Sequence, residues 1–256
     1  MHALTGKNVA VIGGSRGVGR KVAEAAAGRG AHVLAVARQL EPLRRFAKET
    51  AGIDILSLDA TDIDAPAKVF DCMLPDVLVV CGGSLPPTQP LHKQNWQEFS
   101  ENWEVDVKIA FNFFKAALSG PLIPGATIVL VSSGAALAGS PLTGGYAGAK
   151  RTQLFMANYS QKESDRLGLG LRFISIAPRI MPDTELGQRA IAGYSNYLGV
   201  TEADFIRSMA APPKSSDAAN AVIELVTNPD RFKEHVFIVS GKGLEAVPSR
   251  TDLEAR

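Results

Sequence analysis

Two side chains one helical turn apart carry the most chemistry in this sequence. Tyr146 and Lys150 are four residues apart in a stretch that reads as a helix, so both project from the same face. A neighbouring ammonium favours the phenolate and lowers the pKa of a tyrosine from its ordinary value of about 10. The spacing therefore predicts a general acid or base that works near neutral pH. An exposed Tyr–Lys pair has the same spacing, so the prediction needs further context.

Ser133 supplies that context. It follows the predicted strand Thr127–Val131 and precedes Tyr146 by thirteen residues. Ligands of open α/β sheets bind at the carboxyl ends of the strands, so Ser133 and the start of the Tyr146 helix are expected at one edge of a sheet. No Gly-x-Ser-x-Gly turn surrounds Ser133, which argues against a serine hydrolase.

A glycine-rich loop, Gly13-Gly14-Ser15-Arg16-Gly17-Val18-Gly19, follows the first predicted strand and opens a predicted helix. Glycine permits the tight turn and allows backbone N–H groups to approach a pyrophosphate. The positive N-terminus of the following helix favours the same anion. Because strand, loop and helix follow in the expected order, the segment predicts a dinucleotide site. Its predicted binding residues are Gly13, Ser15, Arg16, Gly17, Val18 and Gly19.

The end of the second predicted strand indicates which dinucleotide binds. A site for NAD usually places a carboxylate there, which binds the ribose 2′-hydroxyl. This chain reads Val36-Ala37-Arg38-Gln39, without a carboxylate. The guanidinium of Arg38 suits a 2′-phosphate, and Arg16 is a second candidate for the same group. The sequence therefore predicts NADP(H) rather than NAD(H).

The elements that must hold these residues alternate between short apolar runs and amphipathic stretches. The runs are mostly continuous and β-branched, which is typical of strands buried on both faces. They are Val9–Ile12, His32–Val36, Ile53–Leu56, Val77–Val80, Thr127–Val131, Leu171–Ile176 and His235–Val239. The stretches between them predict helices, among them Gly17–Gly28, Trp96–Leu118 and Tyr146–Leu167. This alternation predicts a parallel sheet that helices cover on both sides.

One insertion interrupts the alternation. It spans Leu186–Pro213, after the sixth strand, and carries aromatic and aliphatic residues. Long excursions of this kind are usually lids or binding loops, whereas the alternative is a helical pair packed on the surface, and the two are compatible. No repeat or linker divides the chain, so residues 1–256 are predicted to form a single domain with a substrate loop near 185–213.

Composition excludes several classes of function. Lys plus Arg number 27 and Asp plus Glu 26, so no strong field attracts nucleic acid or a membrane surface. A transmembrane helix needs about 20 consecutive apolar residues, and the sequence contains no such run. Two cysteines and four scattered histidines predict neither a disulfide framework nor a metal site. A reducing cytoplasm is the predicted location.

Together, the glycine loop, Ser133, Tyr146 and Lys150 resemble the short-chain dehydrogenase/reductase family, in its compact single-domain branch. The resemblance covers nearly the whole chain. It implies an α/β fold of Rossmann type, with a doubly wound parallel sheet of about seven strands and helices on both faces. It also implies a homo-oligomer, a tetramer or a dimer, in which the two long helices form one interface.

The resemblance also implies roles for single residues. Tyr146 is expected to donate or accept the proton, Lys150 to lower its pKa and hold the nicotinamide ribose, and Ser133 to orient the substrate carbonyl. Asp59 matches the aspartate that contacts the adenine. The remaining residues expected at the cofactor are Ala60, Cys81, Gly82 and Ile180.

Two departures from the family pattern lie at strand ends and are expected to be structural. Ile12 replaces the usual threonine, and Val80-Cys81-Gly82-Gly83 replaces Asn-Asn-Ala-Gly. Cys81 is expected near the cofactor as a buried, inert thiol.

Two other departures bear on chemistry. Asp106 stands where the family has the asparagine of a proton relay, so the relay is predicted to be altered or unused, because an ionised carboxylate cannot donate. Arg179 replaces a glycine beside the nicotinamide; it either binds an anionic substrate group or turns outward. The downstream threonine is one place late, as Thr184, which makes Ile180 and Met181 competing candidates for the carboxamide contact.

The sequence therefore predicts an NADP(H)-dependent oxidoreductase that interconverts a ketone or aldehyde and an alcohol on a partly apolar small molecule. In this hypothesis Ser133, Tyr146, Lys150 and Asp106 form the catalytic set. The alternative is a catalytically silent NADP(H)-binding regulator or scaffold of the same fold, which Asp106, Arg179 and the segment Val80–Gly83 motivate.

Overall fold

An eight-stranded sheet forms the centre of the protein in the computed structural model, which describes residues 3–248. The strands lie in the order β3-β2-β1-β4-β5-β6-β7-β8, and all neighbours are parallel except β7 and β8. They are β1 (Asn8–Ile12), β2 (His32–Ala37), β3 (Ile53–Ser57), β4 (Val77–Val80), β5 (Thr127–Val131), β6 (Arg172–Pro178), β7 (Val236–Ser240) and β8 (Gly243–Ala246).

Helices lie on both faces of this sheet. They are α1 (Gly17–Ala27), α2 (Leu40–Glu49), α3 (Ala65–Cys72), α4 (Trp96–Asn102), α5 (Lys108–Ser119), α6 (Ala135–Ala138), α7 (Gly144–Leu167), α8 (Glu185–Leu198), α9 (Glu202–Ser208) and α10 (Ser215–Thr227). Helices α1, α2 and α10 pack against one face, and α3, α5 and α7 against the other. The predicted doubly wound α/β fold of Rossmann type is confirmed.

Strand β1 shows why the strands read as continuous apolar runs. Val9 and Val11 belong to the core on one face, whereas Ala10 and Ile12 belong to the core on the other. Because successive side chains of a strand point to opposite faces, a strand covered on both sides needs apolar residues at every position.

The strand count differs from the prediction of about seven. The seven predicted strands form the parallel part, and the additional strand β8 returns antiparallel to β7, with Ser240 paired to Gly243. The sequence Gly243-Leu244-Glu245-Ala246 carries little apolar content, because this short edge strand is largely exposed to solvent. Hydrophobic patterning therefore gave no signal for it.

Two further elements differ in detail from the predictions. The helix predicted over Trp96–Leu118 consists of α4 and α5, which a turn of π-helix over Trp103–Val107 joins. The insertion predicted over Leu186–Pro213 forms the helices α8 and α9.

The strand order places the ligand-binding edge. The order reverses between β1 and β4, which are neighbours although they are not consecutive in sequence. In open parallel sheets a crevice forms outside the carboxyl ends of the strands at such a reversal. The glycine loop follows β1, Cys81 follows β4 and Ser133 lies just beyond β5, so all three reach this edge.

Candidate active site

A cleft of about 1250 Å³ lies at the carboxyl edge of the sheet. Among the residues predicted for the site, Gly19 alone does not line this cleft. Those that do are Gly13, Ser15, Arg16, Gly17, Val18, Arg38, Asp59, Ala60, Cys81, Gly82, Asp106, Ser133, Tyr146, Lys150 and Ile180. Residues that are far apart in sequence thus meet in one cavity, which extends from the glycine loop to the Tyr–Lys helix.

Tyr146 and Lys150 lie side by side on the buried face of α7. Tyr146 is 8% exposed and Lys150 5%, and Lys150 Nζ lies 5.7 Å from the centre of the Tyr146 ring. Ser132 at the end of β5 donates a hydrogen bond to the Lys150 carbonyl at 3.1 Å, which fixes the helix against the strand. Ser133, the next residue, accepts a 3.2 Å hydrogen bond from the Ala135 N–H through its hydroxyl oxygen.

The pKa of Tyr146 shifts in the direction opposite to the prediction. Burial raises it above its ordinary value, and this exceeds the lowering caused by the Lys150 ammonium and the Ser133 hydroxyl. Spacing along the helix indicated the cation, but it carried no information on how completely the phenol is removed from solvent. The Tyr146 hydroxyl therefore remains protonated at neutral pH.

Asp106 forms a buried ion pair with Lys150, which the sequence analysis did not predict. Its carboxylate is 1% exposed, and Oδ2 lies 3.1 Å from Lys150 Nζ. Burial lowers the pKa of Lys150, but Asp106, together with Tyr146 and Cys81, outweighs this effect, so the pKa is raised and the ammonium keeps its charge. Gly83 makes room for the carboxylate, since a Cβ at Gly83 would lie 2.7 Å from Oδ2.

Buried polar groups fix Asp106 in the π-helical turn. Asp106 Oδ1 accepts hydrogen bonds from the Ser84 N–H at 2.9 Å and from the Asn102 side chain at 3.2 Å. Gln153 donates a 2.7 Å hydrogen bond to the Asp106 carbonyl. Sequence reasoning missed Asn102 and Gln153. Their positions, four residues before Asp106 and three after Lys150, were the available signal.

The glycine loop has room for an anionic group above Gly17. Gly17 has a φ of +53°, and a Cβ there would meet nothing within 4 Å, so its backbone faces open space in the cleft. Gly19 plays a different part. A Cβ on it would lie 2.3 Å from the Gly13 carbonyl oxygen, so its lack of a side chain lets α1 begin directly beneath the loop. These residues fit a dinucleotide pyrophosphate.

The two arginines predicted for a 2′-phosphate have different surroundings. The guanidinium of Arg16 pairs with Glu185, the first residue of α8, which the sequence analysis did not anticipate. Arg38 is exposed at the end of β2 and makes no ion pair within residues 3–248. Its charge lowers the pKa of Asp59, although the hydrogen bond from the Thr61 N–H is the larger cause.

Residues after β3 and β4 line the part of the cleft expected to hold the adenosine. Asp59 Oδ1 accepts hydrogen bonds from the Thr61 N–H and hydroxyl, at 2.9 and 2.8 Å, which shapes the turn after β3. Ala60 is buried beside it. Burial raises the pKa of Cys81 to about 11, so its thiol stays protonated, as expected of an inert thiol.

The segment after β6 leads from the sheet into the insertion. The Thr184 hydroxyl accepts a 3.0 Å hydrogen bond from the Gly187 N–H and donates to the Met181 carbonyl at 2.9 Å, so it caps α8. Ile180 and Met181 both line the cleft, which leaves the two candidates for the carboxamide contact open.

Helix α8 borders the cleft, and contacts of Tyr194 hold it in place. The hydroxyls of Tyr194 and Ser140 share a hydrogen bond, and the Tyr194 ring stacks on Phe205 of α9 with ring centres 5.5 Å apart. Leu186, Ala190 and Tyr194 of this helix line the cleft. The insertion therefore contributes a wall to the cavity as well as a surface helical pair.

Residues 3–248 contain no cluster of three or more His, Cys, Asp or Glu side chains that could hold a metal ion. In the same range, no helix has the length and apolar character needed to cross a membrane.

Comparisons with known sequences identify relatives. A model of the short chain dehydrogenase family matches residues 7–194. L-xylulose reductase of Homo sapiens is 29% identical over 133 residues, which are 51% of this chain and 54% of that enzyme. A 3-dehydrosphinganine reductase of Arabidopsis thaliana is 35% identical over 118 residues, 44% of this chain and 35% of that enzyme. The match thus spans about half the length of the first relative and less of the second.

Comparisons with solved structures extend over nearly the whole chain. Levodione reductase superposes with a TM-score of 0.80 at 20% identity, covering 93% of this chain and 97% of that one. A glucose/ribitol dehydrogenase from Brucella melitensis gives 0.79 at 21% identity, covering 94% and 97%. At these identities the likeness shows the fold alone.

Proposed function

The chain belongs to the short-chain dehydrogenase family, and we propose that it is an NADP(H)-dependent reductase that converts a ketone or aldehyde on a partly apolar small molecule to an alcohol. The observation that supports this most directly is the meeting of Ser133, Tyr146 and Lys150 in the cleft that the glycine loop opens. Short-chain dehydrogenases are oxidoreductases that bind NAD or NADP. A protein without catalysis has no need of this set.

The proposed mechanism divides hydride and proton transfer between cofactor and protein. A bound nicotinamide supplies the hydride to the carbonyl carbon. Tyr146 donates its hydroxyl proton to the carbonyl oxygen, and Ser133 donates a hydrogen bond to the same oxygen. Lys150 then stabilises the phenolate that Tyr146 becomes.

The surroundings of Tyr146 keep it in the protonated form that carbonyl reduction uses. Because burial raises its pKa, the phenol is protonated at neutral pH and is a proton donor rather than an acceptor. Oxidation of an alcohol needs the phenolate, which forms only at higher pH.

Asp106 is proposed to act through Lys150. The carboxylate keeps the buried ammonium charged and in place, 3.1 Å away. The backbone carbonyl oxygen of Asp106 already accepts a hydrogen bond from Gln153. Its side-chain Oδ1 accepts hydrogen bonds from Ser84 and Asn102. We therefore assign Asp106 a positioning role in place of the family's asparagine.

Arg38 supports NADP(H) over NAD(H). It is the cation at the end of β2 without an ion-pair partner in the described part of the chain, whereas Arg16 is engaged by Glu185. The guanidinium of Arg38 is therefore available to bind two oxygens of a 2′-phosphate at once.

The assembly and location are also proposals. Large side chains of α4, α5 and α7 are exposed, as expected of a homo-oligomer with these helices at an interface. They include Trp96 (76% exposed), Phe111 (51%) and Tyr159 (61%). Both cysteines are free thiols, which agrees with a reducing cytoplasm.

The direct test is cofactor consumption with a panel of neutral and acidic ketones and aldehydes. We expect NADPH to be oxidised with members of the panel that are partly apolar and NADH to be used much less efficiently. Tight binding of NADPH with no turnover of any carbonyl would contradict the enzyme and favour a cofactor-binding regulator. Equal or better use of NADH would overturn the cofactor preference.

A further inference from the structure

Arg179 lines the cleft close to Gly134, the residue after Ser133. It follows Pro178, the last residue of β6, and its N–H donates a 3.0 Å hydrogen bond to the Val239 carbonyl. Its stem runs along Gly134, the neighbour of Ser133: a Cβ on Gly134 would lie 3.7 Å from Arg179 Cα and 3.9 Å from Cγ. The stem of Arg179 therefore lies one residue from Ser133, which is proposed to hold the carbonyl oxygen of a substrate.

The guanidinium of Arg179 has no acidic partner in the part of the chain that the structure describes. Arg179 as a whole is exposed and is one of the residues that line the cleft. Four carboxylates line the same cleft, namely Asp59, Asp106, Asp183 and Glu185. Each of them is already engaged elsewhere.

Two of these carboxylates are held by neighbours in the insertion and the last helix. Asp183 accepts hydrogen bonds from the N–H and the hydroxyl of Ser215, at 3.0 and 2.6 Å. Glu185 pairs with Arg16 and with Arg189. Asp106 and Asp59 are occupied by the Lys150 ion pair and the Thr61 turn described above.

We propose that Arg179 binds an anionic group of the substrate, a carboxylate or a phosphate, and so restricts the enzyme to carbonyl compounds that carry one. The inference rests on the proposed function for its carbonyl and extends it to the substrate class. A guanidinium presents two parallel N–H groups to such an oxyanion, which gives a charge-assisted, bidentate pairing. The rest of the substrate meets apolar residues, since Leu137, Leu142, Leu186 and Met209 also line the cavity.

Binding to the NADP⁺-loaded protein tests this without turnover. The probes are benzoate, phenyl phosphate and the neutral benzamide, titrated by calorimetry into the wild type and into Arg179→Gln. We expect at least one of the two anions to bind more tightly than benzamide, and Arg179→Gln to weaken that anion roughly 10- to 100-fold while leaving benzamide unchanged. Arg179→Lys should recover part of the affinity. Arg45→Gln is the control, since Arg45 is exposed and lies outside the cleft.

Three outcomes would overturn the assignment. They are equal binding of benzamide and both anions by the wild type, undiminished anion binding by Arg179→Gln, and a loss of NADP⁺ affinity in Arg179→Gln, which would make the oxyanion the cofactor's own. Failure of the reductase proposal is distinguishable, because it appears as absence of turnover across the neutral and acidic carbonyl panel while the binding result stands on its own.

Discussion

Burial and the charge of Lys150 act in opposite directions on the pKa of Tyr146. The phenol is almost removed from solvent, which raises its pKa, while Lys150 and Ser133 lower it and Asp106 raises it again. Reduction uses the protonated phenol, so activity in that direction should be present below the pKa of Tyr146 and lost as the pH rises through it.

Replacing Asp106 by asparagine should move this alkaline limit to lower pH. The negative charge of Asp106 raises the pKa of Tyr146 and that of Lys150, so a neutral amide in its place lowers both, and the Lys150 ammonium then acts on Tyr146 without the opposing carboxylate. The measurement is the pH profile of kcat/KM for NADPH-dependent reduction. Asp71→Asn removes the same charge from an exposed position and should leave the profile unchanged. An unshifted limit in Asp106→Asn would remove Asp106 from the proton chemistry.

Arg38→Gln should raise the KM for NADPH by about 10- to 100-fold and leave the KM for NADH nearly unchanged, because the lost contact is a charge-assisted pair with the 2′-phosphate. Steady-state kinetics with both cofactors measure this. Arg45→Gln, an equal change outside the cleft, should alter neither value. If the two KM values rose together in Arg38→Gln, the arginine would not discriminate the phosphate.

At the scale of elements, the loop between β1 and α1 depends on a contact that allows no side chain. Gly19→Ala places a Cβ 2.3 Å from the Gly13 carbonyl oxygen, so the loop must shift. We expect a loss of roughly 1–3 kcal/mol in unfolding free energy and weaker NADPH binding, measured by thermal denaturation and cofactor titration. Gly148→Ala in α7 is the control, since its Cβ meets Trp103 at an ordinary 3.4 Å. Unimpaired stability and binding in Gly19→Ala would contradict this account of the loop.

Elements that leave a pattern of apolar residues were predictable from the sequence. Elements that leave no such pattern were not. The parallel strands are apolar at every position because both faces are covered, and this pattern located all seven. The exposed β8 and the π-helical turn at Trp103–Val107 leave no such pattern. The same limit applied within the site. The spacing of the motif placed Tyr146 and Lys150 on one helix face, but the ion pair joins Lys150 to Asp106, which lies in the π-helical turn.

At the scale of the whole molecule, the sheet brings the proposed cofactor-binding residues and the proposed catalytic residues to one edge. The first half of the chain supplies the glycine loop and Arg38, and the second supplies Ser133 and the Tyr–Lys helix. The topology made this meeting predictable, because parallel strands end at the same edge. The position of α8 across the cleft was not, since the Arg16–Glu185 and Tyr194–Ser140 contacts join segments far apart in sequence.

The measurement that bears most directly on the central claim is turnover by Tyr146→Phe beside its affinity for NADPH. The substitution removes only the hydroxyl that donates the proton. We expect kcat for carbonyl reduction to fall by about 100- to 10,000-fold, while the NADPH dissociation constant, measured by fluorescence titration, stays within about twofold of the wild type. Turnover close to the wild-type rate with normal NADPH binding would contradict the role of Tyr146 as the proton donor.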